Sequence, residues 1–193
     1  MPFILETIAT TTNADGTAHL VPFGIIAEGK DYVVAPFRPS PTIENLARNP
    51  ALAVAVPADI RVFAGCVTGR RNWETVRCDK IDGVRLADAL SHMELEVAHV
   101  ADDPIRPRYR CRVVHAANHK PLLGYNRASA AIIEAAILST RLQFLDAEAV
   151  RAELTRLAIA VGKTAGPAEA EAWGWIMAKV DARIGEVAGS SPR

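Results

Sequence analysis

The segment Pro36-Phe37-Arg38-Pro39-Ser40-Pro41-Thr42-Ile43-Glu44-Asn45-Leu46 concentrates groups that can hold an anion. It sets an arginine, two hydroxyls and an amide around the start of a short helix, Thr42 to Arg48. The first amides of a helix lack partners inside it and the helix dipole is positive there, so a phosphate is well accommodated. Ser40 suits an N-cap and Pro41 a first helical residue. With Arg38, Thr42 and Asn45 the set makes a compact group of phosphate donors without a glycine-rich loop. The same residues also permit a plainer reading, in which Ser40 only caps the helix and Arg38 is solvated.

Other polar patterns are weaker. Gly162-Lys163-Thr164 resembles the end of a phosphate loop, but Leu157 stands where the required glycine would be and a helix precedes it rather than a strand. Arg106, Arg108, Arg110 and Arg112 alternate along one strand and share a face. With no aromatic residues interleaved, the acidic pair Glu94 and Glu96 on the preceding strand is the better partner set than nucleic acid. The histidines (His19, His92, His99, His115, His119) show no ligand spacing with carboxylates or cysteines along the chain, so no metal is expected. No serine sits in a nucleophile elbow, and no catalytic residue stands out.

The elements that must position these groups fall into two halves with different periods. From Phe3 to about Val56 the chain reads as strands, with Asn13-Ala14-Asp15-Gly16 as a hairpin turn. Residues 57–92 are the least readable stretch, and Val84 to His92 suits a helix after Asp82-Gly83. Two strands follow, Met93 to Ala101 and Arg106 to about Ala117. From Asn126 the period is helical: Ala128 to Phe144, a helix capped by Asp146 and ending near Gly162, and a third opened by Gly166-Pro167. Gly189 to Arg193 reads as a tail.

Composition limits the function classes. The 193 residues carry 22 basic and 22 acidic side chains, so no global field draws the chain to nucleic acid or to an anionic membrane. No apolar run approaches a membrane span. The three cysteines, Cys66, Cys78 and Cys111, are odd in number and far apart, which fits a reducing cytoplasmic setting better than a disulfide framework.

Several segments carry a family resemblance. Asp15-Gly16-Thr17-Ala18-His19-Leu20-Val21-Pro22-Phe23-Gly24 is similar to the second-strand signature of the pyridoxamine-phosphate-oxidase-like flavin split barrels, within the flavin-reductase-like superfamily. More narrowly, the chain resembles a small uncharacterised family of FMN-binding split-barrel proteins with a C-terminal helical extension. The matching segments are Arg38-Pro39-Ser40, Thr42, Asn45-Leu46, Asn126-Arg127-Ala128, Ile133-Glu134-Ala135, Thr140-Arg141-Leu142 and Lys163-Thr164-Ala165-Gly166.

The resemblance implies a mainly β fold, a Greek-key split barrel over 1–120 with a helical segment of about three helices over 121–193 packed on it. It implies a homodimer with FMN at or near the subunit interface. Arg38, Ser40, Thr42 and Asn45 would hold the phosphate and ribityl end, and Val21, Pro22, Phe23 and Gly24 would lie along the ring. Asn126 and Arg127 would face the flavin or an anionic substrate. Arg127, Glu134 and Arg141, seven residues apart in turn, equally suit a salt-bridge network between helices and barrel, and both readings stay open. The implied function is a flavin-dependent oxidoreductase or flavin reductase, with a nicotinamide nucleotide as a possible reductant and the substrate unidentified. The alternative is a flavin-binding carrier, sensor or assembly protein without turnover.

Overall fold

In a computed structural model, which describes residues 1–189, the chain forms two compact units. The tail read over Gly189–Arg193 lies, beyond Gly189, outside the described residues. The first unit comprises residues 1–58 and 71–121, the second residues 59–70 and 122 onward. Residues 59–70, left with the barrel half in the sequence reading, thus belong to the helical unit.

The strands are β1 (Phe3–Thr12), β2 (Ala18–Glu28), β3 (Asp31–Val34), β4 (Ala51–Pro57), β5 (Thr75–Arg77), β6 (Val84–Leu86), β7 (Ala89–Ala101) and β8 (Arg108–Asn118), with helix α1 (Pro41–Arg48) between β3 and β4. Six strands close an antiparallel barrel in the order β1-β2-β3-β8-β7-β4, and β5 and β6 form a separate two-stranded sheet. The predicted turn is present: Gly16 donates to the Asn13 carbonyl at 3.0 Å and takes a φ of +84°, which favours glycine. Inside the barrel, Ala9, Ile25, Val34, Leu52, Val54, Leu95 and Cys111 form the core, joined by Leu46 of α1.

β3 is short, and that splits the barrel. β2 pairs with β3 only over Ile26–Glu28, so the second edge of Ala18–Ile25 has no strand partner among the described residues. Where the chain leaves β3, it runs through Ala35–Pro39 into α1, and Arg38 N donates to the Ile105 carbonyl of the β7–β8 connection at 2.9 Å.

The helix expected over Val84–His92 is absent. Those residues form β6 and the start of β7, because β6 packs against β1 and β4 and its pairing with β5 overrides local preference.

The second unit consists of α2 (Arg61–Val67), α3 (Arg127–Ser139), α4 (Ala147–Thr164) and α5 (Pro167–Gly189). Its core sets small residues (Ala64, Ala135, Ala136, Ala172) among Ile132, Val150, Leu154, Ile176 and Val180. Asp146 caps α4 by accepting from Ala149 N at 2.9 Å, and Pro167 opens α5, both as the sequence predicts. The described residues include no helix long and apolar enough to cross a membrane. None of the three cysteines forms a disulfide.

Candidate functional site

The start of α1 is built as its sequence requires. Ser40, in extended backbone, accepts from Thr42 N at 3.2 Å through its Oγ, and Pro41 removes one orphan N–H. Ile43 N and Glu44 N reach the Ser40 carbonyl at 3.0 and 3.4 Å. The early amides of the helix are therefore engaged locally, and the donors that remain are side chains. As an acceptor, the Ser40 hydroxyl keeps its own proton to give. Thr42 is buried, at 1% exposure, and its hydroxyl has no partner among the described residues.

Arg38 donates through Nη2 to Asp102 at 2.8 Å and through Nε to the Asp103 carbonyl at 3.1 Å, leaving the Nη1 arm of its fork. The side chains of this pair are 40% and 83% exposed. Such pairs contribute about 0–1 kcal/mol, so a phosphate can replace Asp102 at little cost. A second arginine meets this loop from between β7 and β8: Arg106 lies 4.7 Å over the Phe37 ring and donates to the Ala35 carbonyl at 2.9 Å.

Asn45 behaves differently. It is buried, and its amide nitrogen donates to Thr11 Oγ1 at 2.9 Å and Asn13 Oδ1 at 3.0 Å, while its oxygen accepts from Arg48. Both amide protons are thus committed to tying α1 to the end of β1. Val21, Pro22, Phe23 and Gly24 lie on β2 opposite Ala9, Ile8, Thr7 and Glu6 of β1, on the stretch whose second edge is unpaired. A Cβ at Gly24 would meet Ile4 Cγ2 at 2.9 Å, so the close approach of β1 and β2 needs glycine here.

Asn126 and Arg127 begin α3 in the helical unit. Asn126 is its N-cap, accepting from Ala128 N at 2.7 Å and Ser129 N at 3.3 Å and donating to the Thr164 carbonyl at 3.0 Å. Arg127, Glu134 and Arg141 are exposed, and none of them forms an ion pair with a described residue, so the expected salt-bridge network is absent. The helix leaves that stripe to water, which removes any need for pairing. Lys163 is an exposed residue of the last turn of α4. Three arginines of the ladder are paired, each toward a different strand: Arg108 with Glu28 of β2 at 3.6 Å, Arg110 with Asp31 of β3 at 2.8 Å and Arg112 with Glu96 of β7 at 2.9 Å.

Glu94 belongs to a cluster the sequence reading missed. β7 alternates, so Met93, Leu95 and Val97 face the barrel core while His92 and Glu94 face the other way. The β7–β8 register sets Glu94 opposite His115, and the loop after β5 brings in Asp79. His92 and Glu94 are fully buried, with His92 Nε2 3.2 Å from Glu94 Oε1 and His92 Nδ1 2.9 Å from His119 Nε2. Burial opposes charge on Glu94, but the backbone N–H groups of Asp79, Lys80 and Ile81 outweigh it and hold its carboxyl at about 2. Burial likewise pushes the His92 pKa down. The available signal was His92-x-Glu94 on one strand and His115-x-x-x-His119 on the next. It was missed because ligand spacing was sought along the chain rather than across a ladder.

The barrel also holds a mostly apolar cavity of about 440 Å³, bordered by Leu5, Thr7, Tyr32, Val54, Met93 and Asn118. None of Val21–Gly24 lines it, so the cavity and the expected ring-bearing strand are distinct places.

Solved structures share this fold. An FMN-bound protein from Methanosarcina mazei matches with a TM-score of 0.78 at 23% identity, over 91% of this chain and 94% of that one. An FMN-binding protein from Thermus thermophilus, solved with p-hydroxybenzaldehyde, matches at 0.52 and 13% identity over 65% and 77%. A flavoredoxin from Methanosarcina acetivorans matches at 0.50 and 15% identity over 63% and 72%. Models of the N-terminal and C-terminal domains of a protein of unknown function (DUF447) match residues 5–120 and 126–178, and together they cover most of the sequence. The chain belongs to the DUF447 family.

Proposed function

We propose that this protein binds FMN through the start of α1 and acts as a flavin-dependent oxidoreductase. The observation that carries the reading is the donor set at that helix: the Thr42 hydroxyl, which bonds to no described residue, the Ser40 hydroxyl proton and the Nη1 arm of Arg38. These groups suit a terminal monophosphate in type, two hydroxyls and a guanidinium on one short segment without a glycine-rich loop. Asn45 acts by fixing α1 against the end of β1. The FMN-bound and flavin-reducing proteins that share the fold support the same cofactor. When bound, the flavin supplies hydride or electron transfer, and the protein's part is to hold and orient it and to admit a reductant such as a nicotinamide nucleotide.

Arg38→Ala tests this reading. A charge-assisted contact contributes about 1.5–3 kcal/mol, so the variant should bind FMN about ten- to a hundred-fold more weakly by equilibrium titration. Riboflavin, which lacks the phosphate, should bind both proteins alike. Unchanged FMN affinity, or an equal loss of riboflavin, would overturn the assignment. Stable FMN that neither NADH nor NADPH reduces would favour a carrier or sensor over an enzyme.

We also propose that a second copy of the chain completes the flavin site. The edge of Ala18–Ile25 has no strand partner among the described residues, and Phe3, Phe37 and Ile105 expose large apolar side chains on this unit. Unpaired edges and apolar surface are ordinarily covered by association. Light scattering should give a dimer, and a monomer at micromolar concentration with flavin still bound would contradict this.

A further inference from the structure

We propose that Asp79, His92, Glu94 and His115 form a binding site for a divalent transition-metal ion, of which Zn²⁺ is the natural occupant. Each residue offers one ligand atom, and these atoms all lie within 4.8 Å of one another. The measured edges are 3.2 Å between His92 Nε2 and Glu94 Oε1, 3.9 Å between His92 Nε2 and Asp79 Oδ2, and 3.5 Å between His115 Nε2 and Asp79 Oδ2. A tetrahedral zinc with ligands at about 2.0–2.1 Å has ligand–ligand edges of about 3.3–3.4 Å. The cluster therefore stands close to the dimensions the ion requires, and small side-chain rotations would close the rest.

Charge and ligand type agree with this. Two imidazoles and two carboxylates suit zinc and similar ions, whereas magnesium and calcium prefer oxygen alone. The two carboxylates bring two negative charges within one small space, and a dication would neutralise both. Among the described residues no cation is bonded to this group, although Arg85 lies near enough for its charge to act on His92; Glu94 is held by backbone N–H groups and His92, and Asp79 Oδ2 lies 3.9 and 3.5 Å from His92 and His115.

The surroundings are also those of a metal site. Metal-bound imidazoles usually donate their second N–H to an orienting partner. His92 has one, since its Nδ1 lies 2.9 Å from His119 Nε2. With Nε2 on the metal, the His92 proton moves to Nδ1 and is donated to His119, whose own proton takes the other ring nitrogen. No net proton need leave the pair. Glu94 Oε2 accepts from Lys80 N and Ile81 N and Oε1 accepts from Asp79 N at 2.6 Å, which fixes the carboxylate with Oε1 also facing His92 Nε2 in the cluster. Asp79 is 56% and His115 28% exposed in their side chains, giving an ion a way in, while His92 and Glu94 form a closed floor. The site would pin the Asp79–Ile81 loop to the outer wall of the barrel. It shares no residue with the donor set of α1, so it does not depend on the flavin reading.

The test uses the full chain stripped with a chelator and titrated with Co²⁺ and then Zn²⁺. Co²⁺ should bind one per chain with the intense visible bands of a four-coordinate site, and Zn²⁺ should displace it. His115→Ala should weaken binding at least a hundred-fold, and His119→Ala, which removes only the orienting partner, about ten- to a hundred-fold. His99→Ala, outside the cluster, should bind as the parent does. Should His115→Ala fail to fold by circular dichroism, Asp79→Asn replaces an exposed side chain and serves the same purpose. Absence of a one-to-one Co²⁺ complex at micromolar concentration, or equal affinity in the parent and the folded cluster variants, would overturn the proposal.

Discussion

Of the nine buried polar side chains among the described residues, eight lie in the barrel unit (Thr7, Thr10, Thr11, Asp31, Thr42, Asn45, His92 and Glu94), and Ser139 lies in the helical unit. The helical unit instead buries small and aliphatic side chains and leaves Arg127, Glu134 and Arg141 in water. Burying a polar group is unfavourable unless it is paired. Where the barrel pairs such groups, strand ends and loops supply the fixed donors, as the Asp79–Ile81 amides do for Glu94, whereas the Thr10 hydroxyl is buried without a described partner. A helix interior has no spare backbone donors of that kind. The contrast is what the proposed site on the barrel would require, and it leaves the described helices held together by apolar packing.

The largest test of that contrast removes core volume from each unit. Leu95 and Ile176 are both 0% exposed, one in the barrel core and one among the helices. Leu95→Ala and Ile176→Ala should each cost about 2–5 kcal/mol, measured by urea unfolding. The comparison sharpens if Leu95→Ala also weakens FMN binding while Ile176→Ala, at a urea concentration where it stays folded, leaves FMN affinity unchanged. It breaks if Ile176→Ala weakens FMN binding as much as Leu95→Ala does.

The features legible in the sequence are those whose cause is local. Ser40-Pro41, Asn13–Gly16, Asp146 and Pro167 carry their own caps or turn geometry within a few residues, and each does in the structure what its type requires. Helix α2 has no capping side chain at its N-cap, Ile60; the local signal for its start is Asp59, one residue earlier, which accepts from Arg61 N at 2.8 Å. β6 was read as helix because Asp82-Gly83 looks like a helix start, whereas its strand state comes from β5 and from packing on β1 and β4. Of the candidate site, the α1 donors were legible for the same local reason. The committed state of Asn45 was not, since its partners Thr11 and Asn13 lie on another strand. The same holds for the His92–Glu94–His115 group, which exists only through the β7–β8 register.

The smallest effect bears on whether any helical residue joins the flavin site. Asn126 resembles a family site residue, yet it closes the N-terminus of α3 with Oδ1 and holds the end of α4 through Thr164. Asn126→Ala leaves Ser129 N without its acceptor, while Ala128 N keeps a second one, Thr164 Oγ1 at 3.0 Å. Loss of the cap should therefore cost about 0.5–2 kcal/mol, toward the lower end because one amide stays satisfied. Asn126→Asp retains the accepting oxygen and loses only the donation to the Thr164 carbonyl, so it should recover most of that stability. If Asn126 is a cap and nothing more, both variants bind FMN as the parent does. A tenfold weaker FMN complex in Asn126→Asp, with stability close to the parent, would separate ligand contact from capping and bring the helical unit into the site.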